Sequence, residues 1–229
     1  MSRPPAKRKA STDELYAVEI LHDYNVDLIG RELFLFGEED QGEEGVEPGV
    51  EFCMANRFVR NIRALCRRSR DPILIHMKTC GGLWEEGMAI FDAIASCPSP
   101  TTILSYTHAR SMSSIILQAA TRRVLMPHSI FLFHLGTSGY DGDTQAVMSQ
   151  TDWEKQIIIP QMLRAYAERL RATRRGKFYR ADLAKIERWL TKKMRRHNDV
   201  YLTAEQAVKI GFADEVFDGK WKALGRGGA

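Results

Sequence analysis

The stretch from Thr101 to Ala120, TTILSYTHARSMSSIILQAA, joins two unlike patterns at a single serine. Thr101 to Tyr106 has the β-branched and aromatic content of a buried strand, and Met112 to Ala120 reads as the helix that follows. A strand that feeds directly into a helix is the repeating unit of an α/β fold. Ser111 stands at the helix start. A serine there is in the first instance an ordinary N-cap. The same place also offers unpaired backbone N–H groups and the positive end of the helix dipole, both of which favour a developing negative charge.

Outward from this junction the alternation continues. Ile73 to Met77 reads as a strand, Glu85 to Ser96 as a helix, and Arg123 to Met126 and Ile130 to Phe133 as two further strands. The pattern predicts a mostly parallel sheet covered on both faces. Sites gather in the loops at the carboxyl ends of such strands. Here these are Lys78 to Gly82, Thr107 to Ser111 and His134 to Gly142.

Upstream, Glu32 to Phe36 reads as a strand and Gly37 to Gly49 as an acidic, glycine-rich loop. In the helix expected over Glu51 to Arg68, Phe52, Ala55, Val59, Ile62 and Cys66 recur at helical spacing. Downstream, a long helical stretch from Thr144 to Arg171 contains Pro160, which is expected to kink or interrupt it. A helix from Asp182 to Arg196 aligns Leu183, Ile186, Leu190 and Met194. A short Thr203-initiated helix stops at Gly211.

The chain has 229 residues, 44% of them hydrophobic, enough for one large α/β domain. Its apolar runs, such as Ile157 to Ile159 and Ile130 to Phe133, are too short to cross a bilayer, so no membrane association is expected. The net charge of +4 concentrates in residues 1–9 and from Arg169 to Arg196. Neither basic stretch has the aromatic interleaving of a nucleic-acid surface, and a solvated face accounts for both. Cys53, Cys66, Cys80 and Cys97 form no CxxC pair, which points to reduced thiols in a cytosol-like compartment and to no zinc site.

Serine needs a base to act as a nucleophile, and a neutral imidazole suits that work near pH 7. Of six histidines, His134 follows the strand IFLF, which delivers it to the same rim as Ser111; His108 is nearer in sequence, but the strand-to-helix turn points it elsewhere. Gly81 and Gly82, after the strand ILIHM, let a backbone N–H approach a substrate carbonyl, as an oxyanion hole requires. Each feature alone also has an ordinary structural reading. Spacing does not choose an acidic partner for the histidine among Asp141, Asp143, Asp152, Asp199 and Asp214.

In order along the chain, these pieces resemble the ClpP family, the proteolytic subunits of Clp proteases. The family's small-Gly-Gly turn resembles Thr79-Cys80-Gly81-Gly82, and its small-small-Ser-Met-small motif resembles Ala109-Arg110-Ser111-Met112-Ser113. The Pro-Asn-Ser strand that ends in a histidine resembles Pro127 to His134, and the Gly-Tyr-x-Gly strand after it resembles Gly139-Tyr140-Asp141-Gly142. The Asp-x-Phe-Leu-Ser-Ala motif resembles Asp199-Val200-Tyr201-Leu202-Thr203-Ala204. The resemblance runs from about Asn25 to Val216. Five ordered motifs are specific together, although each is weak alone.

The resemblance implies an α/β fold of the ClpP/crotonase type, a superhelix of β-β-α units with a helical handle region, spanning residues 13–217 as one domain. A flexible basic leader (residues 1–12) and a flexible tail (residues 218–229) flank it. It implies a serine endopeptidase with Ser111 as nucleophile, His134 as base, Asp199 orienting the histidine, and the backbone N–H groups of Gly82 and Met112 as the oxyanion hole. It implies a cytoplasmic homo-oligomer, a heptameric ring expected to pair into a double ring. An AAA+ unfoldase would spend ATP to feed it unfolded polypeptide, with no cofactor or metal in this subunit. Four departures from the family pattern stand out: Cys80 replaces the usual proline, Arg110 replaces a small residue, Asn198 stands where a charged residue helps couple rings, and Arg171 to Arg196 is long. Two other readings compete, a catalytically impaired ring subunit that regulates an active partner and a crotonase-type acyl-CoA enzyme.

Overall fold

The apolar runs in the middle of the chain become strands buried on both faces, as their near-continuous hydrophobicity requires. A computed structural model describes residues 11–37 and 47–224. In chain order its elements are α1 (Thr12–Tyr24), β1 (Val26–Asp27), β2 (Glu32–Phe36), α2 (Phe52–Arg68), β3 (Ile73–Thr79), α3 (Trp84–Ala95), β4 (Thr101–Arg110), α4 (Met112–Ala119), β5 (Arg122–Leu125), β6 (Ile130–Phe133), α5 (Thr144–Trp153), α6 (Ile159–Ala172), α7 (Leu183–His197), β7 (Val200–Thr203), α8 (Ala204–Ile210) and β8 (Glu215–Val216). The strands hydrogen-bond in the order β1-β2-β3-β4-β5-β8, and β6 joins β4 to β7. All pairings are parallel except β1 with β2 and β6 with β7.

Period-two alternation sorts the strand residues into two cores. Ile73, Ile75, Met77 and Ile103 face the larger one, where they meet Phe58, Ile62 and Leu65 of α2, Ile90 and Ile94 of α3, and Ile115 and Ile116 of α4. Each such side chain, fully buried, contributes about 1.5–3 kcal/mol of transfer free energy. Leu74, Leu104 and Val124 point the other way and are closed over by Leu224. The chain beyond residue 217 is therefore not a flexible tail as far as Leu224: a turn of 3₁₀ helix at Trp221–Ala223 sets that leucine, 1% exposed, onto an apolar face that would otherwise meet water. Thr12, assigned to the leader, opens α1, and residues 1–10 lie outside the described part.

In α2 the buried stripe is Ala55, Phe58, Ile62 and Leu65, rotated from the stripe read in the sequence. Phe52, on the first turn, is exposed because it precedes the turns that lie on the sheet. Glu51 caps this helix, its carboxylate accepting from Cys53 N–H (2.7 Å) and Met54 N–H (2.6 Å). The stretch around Pro160 stays helical. A π-helical turn at Glu154–Ile158, in which Ile159 N–H donates to Glu154 O, absorbs the hydrogen bond that proline cannot make. The segment Gly139 to Gly142 does not form a strand, since a single chain brings no strand edge beside it. Of the acidic loop, residues 38–46 lie outside the described part. Among the described residues no helix is long and apolar enough to cross a membrane.

β4 turns a corner that creates the site. Its pairing with β3 slips between Met77 and Thr79, from Met77↔Ser105 to Thr79↔Ala109, so β4 carries a bulge around Tyr106 to His108. Ser105 Oγ–H donates to His108 O across it (3.0 Å). Before the bulge β4 pairs with β5; after it, with β6. The strand consequently runs on to Arg110, where local sequence indicates a loop from Thr107. The added ladder with β6, invisible locally, keeps the backbone extended.

Candidate active site

Two strand registers bring Ser111, His134 and Asp199 together. Arg110 pairs with Leu132 in the parallel β4–β6 ladder, so the residues just beyond, Ser111 and His134, leave the sheet at one rim. Phe133 pairs with Val200 in the antiparallel β6–β7 ladder, and one step further the same register sets His134 opposite Asp199. The side chains complete the line. His134 Nε2 is 2.8 Å from Ser111 Oγ, and His134 Nδ1 is 3.1 Å from Asp199 Oδ1. An Asp carboxylate can only accept, so Nδ1 carries a proton; in the neutral ring Nε2 then accepts from the serine hydroxyl.

The backbone at Ser111 is held in an unusual conformation, φ 51° and ψ −127°. A non-glycine residue at positive φ costs on the order of 1–3 kcal/mol and persists only where its surroundings over-determine it. They do so here. Ser111 N–H donates to Leu132 O (3.2 Å), and Ser111 O accepts from Ser114 N–H (3.0 Å) and from Ser114 Oγ–H (2.7 Å). With its proton committed, Ser114 Oγ accepts from Tyr166 O–H at 2.6 Å. Burial pushes the Tyr166 phenol well above its ordinary pKa, which keeps that donor protonated. Tyr166 reaches the site from α6, and no local signal in the sequence marks it.

Gly81 and Gly82 face the serine from β3. A Cβ on Gly81 would lie 2.7 Å from Ser111 Cβ and 2.9 Å from Met112 N; one on Gly82 would collide with the Val50 backbone. Both adopt positive φ (105° and 148°), conformations that side chains resist. Val50 forms a parallel bridge with Gly82: Val50 N–H donates to Gly81 O (2.5 Å) and Leu83 N–H to Val50 O (2.9 Å). That pattern turns the N–H of Gly82 away from Val50. Met112, as the first residue of α4, has an N–H that helix geometry leaves without an intrahelical acceptor. Val50 is a residue the sequence reading passed over, because only pairing to a distant turn reveals its task.

A cavity of about 350 Å³ opens beside the serine. Gly82, Ser111, Met112 and His134 line one end; Ile115, Ile158, Met162 and Tyr166 give it an apolar wall. Across its mouth runs the segment after His134. Ser138 Oγ–H (2.6 Å) and Tyr140 O–H (2.9 Å) both donate to the carboxylate of Glu154, which the π-helical turn presents. A hydroxyl joined through an imidazole to a carboxylate, beside two N–H groups and an apolar cavity, is an arrangement able to attack a carbonyl and hold the resulting oxyanion.

The three departures near the site face away from the cavity. Arg110 Nη2 donates to His108 Nδ1 (3.3 Å), and Ser113 fixes its backbone through Ser113 Oγ–H to Arg110 O (2.7 Å). An arginine is always the donor, so neutral His108 carries its proton on Nε2, 2.9 Å from Glu47 Oε2 but poorly aligned for a hydrogen bond. Burial lowers the His108 pKa. Cys80 Sγ lies 3.8 Å from Glu47 O, and burial together with the Glu47 carboxylate raises its pKa, the setting of a passive thiol. Asn198 ends α7 at φ 56° and ψ −76°, its N–H donating to Met194 O (2.8 Å), and turns the chain so that Asp199 starts toward β7.

The Clp protease family profile matches residues 46–220. The chain is 30% identical over 152 residues to an ATP-dependent Clp protease proteolytic subunit of Chlorella vulgaris, an alignment that covers 65% of this chain and 68% of that protein. It is 27% identical over 173 residues to the subunit of that name from Deinococcus radiodurans (74% and 76% covered). It is 26% identical over 166 residues to ATP-dependent Clp protease proteolytic subunit 2 of Thermobifida fusca (71% and 74% covered). With a profile match that takes in the Gly81-Gly82 turn, Ser111, His134 and Asp199, and a parallel α/β sheet that corners at β4, the chain belongs to the Clp protease family.

Proposed function

We propose that this chain is a serine endopeptidase subunit that hydrolyses peptide bonds of unfolded polypeptides. Ser111 Oγ attacks the peptide carbonyl while its proton passes to His134 Nε2; Asp199 holds the ring in the Nδ1–H tautomer and stabilises the imidazolium. The N–H groups of Gly82 and Met112 take the charge of the tetrahedral oxyanion, a contribution of about 3–4 kcal/mol per donor in comparable sites. Collapse breaks the C–N bond, His134 returns its proton to the leaving amine, and water repeats the sequence to free the acyl group from Ser111. The observation that carries this reading is the line from Asp199 through His134 to Ser111, at 3.1 and 2.8 Å, ending in an open apolar cavity.

Membership of the family supports a homo-oligomeric chamber, a ring of seven stacked as a pair, working in the cytoplasm with an AAA+ unfoldase that spends the ATP. The relatives in Chlorella vulgaris and Deinococcus radiodurans are named as proteolytic subunits of ATP-dependent Clp proteases. The test is covalent labelling together with turnover. A fluorophosphonate should modify wild-type Ser111 and not Ser111→Ala, and that variant should lose roughly 10⁶-fold in kcat on a short fluorogenic peptide while assembling as wild type does. A Ser111→Ala protein that cleaves at full rate overturns the assignment. A chain that binds acyl-CoA and escapes the fluorophosphonate supports the crotonase-type reading instead.

A further inference from the structure

At the end of the sheet opposite Ser111, two thiols meet. Cys66 lies in the last turn of α2, and Cys97 lies just past the end of α3. Their sulfurs are 2.8 Å apart, some 0.8 Å beyond a disulfide bond of about 2.05 Å. Both residues are half-buried, so a small oxidant can reach them. Cations stand beside them. Arg31 anchors its guanidinium on Leu65 O (3.0 Å) and Asp71 O (2.9 Å), and both Arg31 and Arg63 act on Cys66 as positive charges.

Burial and the hydrogen bond with Cys97 push the Cys66 thiol up to about 11, and either sulfur can be the donor in their 2.8 Å contact. We propose that Cys66 and Cys97 form a redox pair: a peroxide oxidises one of the two sulfurs to a sulfenic acid, and the other then closes a reversible disulfide between α2 and α3.

In the first step one sulfur of the pair attacks a peroxide oxygen, the O–O bond breaks, and the departing hydroxide takes a proton and leaves as water. In the second the other sulfur attacks the sulfenic sulfur, and the displaced hydroxide leaves as water with the proton of the attacking thiol. Two electrons pass from the thiols to the peroxide, and a dithiol reverses the change. The cross-link spans β3, the Gly81-Gly82 turn and α3, so it constrains the unfolded chain over that segment. Both cysteines precede the strands whose far ends carry the site, about 30 Å from Ser111 along β4.

The full-length protein, treated with about one equivalent of hydrogen peroxide and denatured, should fall from four titratable thiols to about two. It should yield a non-reduced peptide linking Cys66 to Cys97. The oxidised form should melt roughly 5–10 °C higher than the reduced one, and dithiothreitol should abolish the difference. Cys66→Ser and Cys97→Ser should each abolish the linked peptide, and at least one of them should leave on the remaining cysteine of the pair a sulfenic acid that dimedone traps. A cross-link between other cysteines or between chains, or a dimedone adduct on Cys53 or Cys80 ahead of the pair, overturns the proposal.

Discussion

Asp199 and Asp214 both pair with a nitrogen base carried by a strand, yet the two constellations have opposite characters. Asp214 meets Arg123, which is 1% exposed and whose five guanidinium N–H groups are all spent: on Asp214 (2.6 and 3.0 Å), Gln118 Oε1 (2.8 Å), Gly211 O (3.0 Å) and Thr173 Oγ1 (2.7 Å). Nothing there is left to react. Asp199 meets His134, whose second nitrogen touches a serine at the mouth of a cavity. A saturated buried network holds elements together, here β5 to α4, α6 and the segment before β8. A network that ends on a half-buried serine hydroxyl beside an open cavity leaves one proton to move.

The comparison predicts two variants with crossed effects. Asp199→Asn should lower kcat on a peptide substrate by about 10⁴-fold, because the amide no longer enforces the Nδ1–H tautomer, while the melting temperature stays near wild type. A fall in kcat of less than tenfold would move the orienting role to another group. Asp214→Asn should do the reverse. It strands the buried Arg123 guanidinium, costs about 3 kcal/mol, and lowers the melting temperature by roughly 6–12 °C, with kcat per folded site within about twofold of wild type. Calorimetry beside active-site titration with a fluorophosphonate separates the two, and an inactive but fully stable Asp214→Asn protein would break the contrast.

A smaller effect is expected from His108, behind the serine. Burial holds its folded pKa below the ordinary value of 6.5, so the unfolded chain takes up a proton first as the pH falls. The stability that neutral His108 contributes is therefore fully present above about pH 6.5 and is lost as the pH drops toward the folded pKa. The groups around it pull both ways: the Glu47 carboxylate facing Nε2 favours the protonated ring, Arg110 and Lys78 disfavour it, and burial decides the balance. Denaturant midpoints between about pH 7.5 and 5 should fall less for His108→Gln than for wild type. Equal pH slopes would mean that His108 is protonated in the folded protein.

Much of this was legible in advance, for identifiable reasons. The strand at Ile130–Phe133, the cap and stop of α8 at Thr203 and Gly211, and the Ile186, Leu190, Met194 stripe of α7 all follow from local periodicity and turn chemistry. The errors arose where a distant partner overrides the local signal. β4 continues to Arg110 because β6 pairs with it, and Leu224 is buried because Leu74, Leu104 and Val124 need a cover. Gly139 to Gly142 forms no strand because no edge lies alongside, and the helix passes Pro160 because a π-helical turn takes up the lost hydrogen bond.

By itself, the sequence determined the chemistry on offer: a serine at a strand-to-helix junction, a histidine at a strand end, a double glycine after another strand, and a parallel α/β frame to hold them. Residue type and short-range spacing are local properties, so reading them needs no coordinates. Which aspartate completes the line is not a matter of spacing: the family motif pointed to Asp199, and tertiary structure brings that residue to the histidine. The antiparallel register of β6 and β7 sets Asp199 across from His134, 65 residues away in the chain, while Asp214 goes to a buried arginine. Tertiary structure also supplied Val50 behind Gly82 and Tyr166 beneath Ser114, because packing, and not sequence separation, brings such groups within hydrogen-bonding reach.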